Sequence, residues 1–127
     1  MNTLELLLNM DPQSLPEKEV AVRRLSKACG QPVVFRLRGL PYSQVAEILE
    51  RKKDTALHIL LAGVVSPNLK DRALRDKYAA ETPHELVKKL LLPGEIEDLS
   101  REIERLSGYR MNTLEEVEAH REELEKN

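Results

Sequence analysis

Apolar residues recur along this chain at two different spacings. Leu4, Leu7 and Leu8 stand at i, i+3 and i+4 behind Asn2 or Thr3, which predicts a short capped amphipathic helix. The segment MDPQSLPEK breaks it with Pro12 and Pro16. Between Glu19 and Arg38 the period falls to two. Val20 and Val22 alternate with Ala21 and Arg23, and Val33, Phe35 and Leu37 alternate with Val34, Arg36 and Arg38. That pattern predicts two strands joined through SKACGQ as an antiparallel hairpin over about 19–38, with the arginine face in solvent. Two strands alone are marginal, so the apolar face must pack on helices.

From Pro41 the helical period returns and holds to about residue 107. Val45, Ile48 and Leu49 mark one helix, and RKKD its exposed end. Leu57, Leu60, Leu61 and Val64 mark a second, which Pro67 stops. LKDRALRDKY predicts a short charged helix anchored by Leu69, Leu74 and Tyr78. ETPHEL carries Thr82 as cap, Pro83 at the first helical position and Glu85 three residues after the cap, which is capping-box spacing. That helix runs through Leu86, Val87, Leu90 and Leu91 to Pro93. Gly94 is expected to permit a sharp change of direction, and Glu95, Glu97 and Asp98 to open the next helix where the dipole favours acids. Ile96, Leu99, Ile103 and Leu106 form its narrow apolar seam, with Gly108 ending it.

The expected fold is mainly α with a short antiparallel β-hairpin near the N-terminus, an α+β bundle of short helices. Residues 1–110 are expected to form one domain, and 111–127 a charged tail. Leu114, Val117 and Leu124 hint at one more weak helix there. MNTLE occurs at 1–5 and 111–115, which reads as two similar helix starts.

Composition narrows the function. Aromatics are 3% with no Trp, so the core must be aliphatic and few platforms exist for stacking bases or sugars. The charged fraction is 33%, and the net charge of −2 hides a polarity. Residues 1–80 hold 13 basic and 9 acidic side chains, whereas residues 81–127 hold 7 and 13. One cysteine, Cys29, forbids an intrachain disulfide and fits a reducing compartment. The N-terminus has no basic region before an apolar stretch, and no run reaches the length of a membrane span. A soluble cytoplasmic protein is expected.

No constellation points to catalysis. His58 lies beside an apolar stripe and reads as a packing residue. His84 sits in a first helical turn, and His120 in the tail. None stands at a metal-ligand spacing, and no phosphate-cradling glycine pattern is present. Cys29 has no histidine near it in sequence. The reading is therefore no enzyme, no cofactor and no metal. Nucleic-acid binding would rest on the basic 18–53 region, which includes Arg23, Arg24, Arg36, Arg38, Lys52 and Lys53. The helix–corner–helix near 83–107 argues against it, because Glu95 to Arg105 carries five acids and two bases. Short helices with apolar seams point instead to protein binding, by a small adaptor or chaperone, and a homo-oligomer would bury spare seams.

Residues 65–109, and above all SPNLKD, TPHELVKKLLLPGEI and LSGY, resemble the XkdN-like tail assembly chaperones of long-tailed phages and prophages. The resemblance implies a cytoplasmic, non-enzymatic morphogenesis factor. It would bind the tape measure protein, recruit tail tube subunits, and be absent from the mature virion. Some relatives also have a frameshifted extended form. The family supplies no catalytic residues. Partner contacts are expected at two corners, Pro67–Asn68 and Leu92–Pro93–Gly94.

Overall fold

The computed structural model describes residues 1–117. Its elements run α1 (Thr3–Asn9), β1 (Glu17–Ala21), α2 (Arg23–Cys29), β2 (Val34–Arg38), α3 (Tyr42–Arg51), α4 (Thr55–Gly63), β3 (Val64–Ser66), α5 (Arg72–Lys77), α6 (Pro83–Leu90) and α7 (Pro93–Leu106). The expected α+β class holds: helices dominate, beside a small antiparallel sheet of order β1–β2–β3.

The sheet differs from the expected hairpin in two ways. First, β1 and β2 pair in the anticipated alternation, with Val20 opposite Phe35 and Glu17 opposite Arg38. Their connection, however, is a helix. Arg23, Arg24 and Leu25, expected in a strand, form α2. The last ladder bond, from the Val22 N–H to the Val33 carbonyl (3.1 Å), closes the neck of this excursion. The Ser26 hydroxyl donates to the Val22 carbonyl (2.8 Å) and accepts from the Val33 N–H (2.9 Å). Gly30, at φ +71°, ends α2 in the left-handed region that glycine adopts without strain. Second, Val64 does not continue α4. With Val65 it opens β3, which pairs with β2 through an irregularity between Arg36 and Leu37. Two adjacent β-branched residues lost their helical period to a free strand edge.

Phe35 and Leu37 turn inward while Arg36 and Arg38 face solvent, as the alternation predicts. Below the sheet, α4 is the central helix. Leu57, Ile59, Leu60 and Gly63 are buried and Leu61 and Ala62 half-buried, so nearly every face is covered. It packs most extensively on α7, where Leu99 and Ile103 are buried. Gly63 makes that approach close: a Cβ there would lie within 2.5 Å of the Ile103 side chain. Leu86 and Val87 of α6, with Leu91, close the core from another side. Leu69 is buried, and Leu74 and Tyr78 pack partly against the core, as expected. Leu49 departs from the α3 stripe, exposed beyond buried Ile48.

The end of α7 meets the end of β2. Gly39 lies against the Leu106 carbonyl with no room for a side chain. The Leu40 N–H donates to the Ser107 hydroxyl (2.8 Å), which itself donates to the Ile103 carbonyl. Gly108 (φ +97°) donates to the Arg105 carbonyl and Tyr109 to the Glu104 carbonyl, both at 2.9 Å. These are the paired bonds of a Schellman cap, as expected of a glycine just past the helix. Residues 111–117 are exposed. Leu124 and His120 lie outside the described residues.

Candidate partner-binding surface

The corner at Leu92–Pro93–Gly94 is built by backbone and charge. Helix α6 starts at the expected cap, where the Thr82 hydroxyl accepts from the Glu85 N–H (3.2 Å), but the Glu85 carboxylate takes the Glu81 N–H (3.0 Å) and not the Thr82 N–H that a capping box requires. It ends at Leu90. Leu91 and Leu92 are both extended, at ψ 149° and 153°, and make the turn between them. Pro93 is the first residue of α7, not the terminator of α6. Gly94 lies within the first turn without positive φ, so the bend does not depend on it. The reason is physical. Two extended residues redirect a chain, and proline, which needs no donor at the first helical position, then restarts the helix.

Leu92 offers no side-chain cap. Glu95 instead reaches back and accepts from the Leu92 N–H at 2.7 Å, half of a capping box. The same carboxylate takes a two-pronged contact from Arg24 of α2, with Nη2 at 2.8 Å and Nε at 3.1 Å. Arg24 Nη2 also donates to the Leu90 carbonyl (2.9 Å) at the end of α6. One guanidinium thus ties α2 to both helices of the corner. The Arg24 hydrogen bond, helped by the Leu92 N–H, holds the Glu95 carboxyl below the usual carboxylate range against the opposing cost of burial. Leu92, Pro93 and Gly94 are all exposed on the outside of this clamp.

The second corner is separate. Pro67 is half-buried and Asn68 exposed. Asn68 Oδ1 accepts from the Lys70 N–H (3.0 Å), a side-chain turn that leads through Asp71, the cap of α5. Pro67 and Asn68 border a groove of about 410 Å³ with Val65, Pro83 and His84. Pro93 borders a different groove, of about 400 Å³, with Ile96 and Arg101. The two expected corners do not share a groove.

Two features were not anticipated. His84 Nε2 stands 3.4 Å from His58 Nδ1, the rings edge to face with centroids 5.1 Å apart. Both are half-buried, which fits a packing role for His58. Burial first, then Arg51 and His84, lower the His58 pKa, with Asp54 opposing. The second feature is a groove of about 440 Å³ between β1–α2 and α7, with an apolar floor of Val20, Val22 and Leu99. Lys18 spans it to Glu102 at 2.7 Å; Glu102 also meets Arg105. Lys18, first by its hydrogen bond, lowers the Glu102 carboxyl pKa, against the cost of burial. No pattern in one sequence announces such a groove, because its walls lie about eighty residues apart.

Of the basic residues considered for nucleic acid, Arg24 is engaged by Glu95 and Arg36 lies 3.8 Å from Glu19, while Arg38, Lys52 and Lys53 are exposed. Cys29 is exposed. Among the described residues no group of three His, Cys, Asp or Glu could hold a metal ion, and no helix is long and apolar enough to cross a membrane.

The chain is similar in fold to the crystal structure of the protein yqbn. The TM-score is 0.60 at 24% identity, covering 79% of this chain and 92% of that one. No curated protein matches it. The family model described as "Phage XkdN-like tail assembly chaperone protein, TAC" matches residues 4–121. With the match spanning nearly the whole sequence, the chain belongs to the XkdN-like phage tail assembly chaperones.

Proposed function

We infer that this chaperone works by lending apolar helical surface to the tape measure protein, keeping it soluble until tail tube subunits displace it. The observation that carries this reading is the apolar surface left outside the core. Leu4, Leu6, Leu7 and Leu8 of α1 and Leu92 at the α6–α7 corner are all more than half exposed. Surface of this kind on a folded domain marks a protein-binding region. A helical tape measure would offer complementary stripes, and short helices with modest area bind weakly enough to be exchanged. Many copies along one rod gain by avidity. The reaction needs no bond chemistry, so the role is non-catalytic and takes no cofactor.

Pro67, Asn68, Leu92, Pro93 and Gly94 are the proposed contacts, as two separate patches. The work would be done in the host cytoplasm, with the chaperone absent from the finished virion. Co-expression with the tape measure protein encoded nearby tests the proposal. The expected result is soluble tape measure in a complex, weakened by Leu92→Glu. Tape measure that stays insoluble at every salt concentration, with no complex, overturns it.

A further inference from the structure

Strand β1 has a neighbour on one side only, and the order of the sheet leaves its other edge open. The register says which backbone groups lie along that edge. The Val22 N–H donates to the Val33 carbonyl, and the Gly39 N–H donates to the Pro16 carbonyl. Bonding residues alternate along an antiparallel pair, so Pro16, Lys18, Val20 and Val22 point their backbone groups at β2. Glu17, Glu19 and Ala21 point theirs away, and all three residues are exposed. An edge of this kind is a template for another strand.

The surroundings of the edge say what that strand would be. Side chains alternate across a strand, and at the even positions of β1 they turn toward α7. Val20 and Val22, with Leu99, floor the groove of about 440 Å³ that runs beside the edge. On the outer face the edge carries Glu17 and Glu19, backed by Arg38 and Arg36 of β2. Glu19 lies 3.8 Å from Arg36, whereas Glu17 makes no ion pair among the described residues. Opposite charges placed across two strands attract and like charges repel, so two acids call for a basic neighbour. We propose that the β1 edge takes an extended segment of a different protein as a fourth, antiparallel strand, with basic residues facing Glu17 and Glu19 and the apolar residues between them turned onto Val20, Val22 and Leu99. Backbone bonds hold such a segment, and its alternating side chains select it. The two acids also turn away acidic and wholly apolar strands that would otherwise add to an open edge. The surface binds a strand, so it stands or falls separately from the helical client proposed above.

The test uses purified full-length chain and three labelled, end-capped hexapeptides, read by fluorescence anisotropy. One alternates lysine with valine, one carries the same residues as a lysine block followed by a valine block, and one alternates glutamate with valine. The alternating lysine peptide should bind saturably, about 10-fold more tightly than the other two. Methylating its lysine backbone nitrogens, which face β1 in an antiparallel pair, should abolish binding. Methylating its valine nitrogens, which face away, should leave binding unchanged. On the protein, Ala21→Pro removes one outward N–H and no bond to β2, a change that an edge strand tolerates. It should weaken binding about 3- to 10-fold. Glu17→Lys with Glu19→Lys should reverse the preference toward the glutamate peptide. Circular dichroism checks that the variants fold, and if Ala21→Pro does not, the methylated peptides decide the same point. Three results would overturn the proposal. One is equal binding of the block peptide, which charge alone would explain. Another is binding that survives lysine methylation, which would mean docking without strand pairing. The third is no binding of the alternating lysine peptide at millimolar concentration.

Discussion

Helices α1 and α4 are both short and leucine-rich, TLELLLN and TALHILLAG, yet they end at opposite extremes of burial. Leu60 in α4 is fully buried, whereas Leu8 in α1 is 73% exposed. Local propensity does not separate them. What separates them is connectivity. α4 is followed directly by a strand of the sheet and faced by α7 across a glycine, whereas α1 is held off by a seven-residue link with two prolines. The comparison teaches that apolar content creates a demand for burial, and the neighbouring chain decides whether that demand is met within the molecule.

The largest contrast should come from the two leucines themselves. Leu60→Ala should cost about 2–5 kcal/mol of folding stability, through lost transfer energy and a residual cavity. Leu7→Ala, measured where the chain is a monomer, should stay within about 0.5 kcal/mol. Parallel urea titrations decide this, and equal losses would mean that α1 is packed after all. Next, Gly63→Ala should destabilise by roughly 1–3 kcal/mol, because its Cβ meets Ile103 and one element must shift. Gly94→Ala, with open space around it, should be neutral or slightly stabilising.

The charged contacts follow. Glu95 has a folded pKa below its unfolded value, so its contribution is present above the unfolded pKa and disappears as pH falls through the folded one. Stability should therefore drop on acidification below about pH 4.5, and Glu95→Gln should remove that component while lowering stability at pH 7. The smallest effect belongs to His58. Its lowered pKa means the unfolded chain takes up the proton first, so stability is full above about pH 6.5 and declines as pH falls below it. Arg51, His84 and Asp54 are the charged groups that act on it. Melting curves from pH 8 to 5 should show a shallower slope for His58→Gln.

Most helices were legible because their signals are local. The Thr82 cap, Pro83, the α7 seam and Gly108 each act within a turn or two. The inward face of Phe35 and Leu37 was legible from alternation. The errors share one cause. Arg23–Cys29 became a helix because the Val22–Val33 pair closed the sheet beneath it, and Val64 joined a strand because β2 offered an edge. Both decisions are made by residues distant in sequence. The corner at Leu92 was placed correctly, but its mechanism was assigned to Gly94, whereas Arg24 and Glu95 hold it across 71 positions. A turn residue can be read locally, but a clamp of that reach cannot.

The junction of Leu40 with Ser107 spans 67 positions and has a timing consequence. Closing so long a loop costs entropy that local helices never meet, so this tether should be among the last native contacts to form. During synthesis, the exit of the middle strand gains its anchor only after Ser107 has left the ribosome. Until then the nascent chain presents its greasy leading segment beside an unpinned sheet.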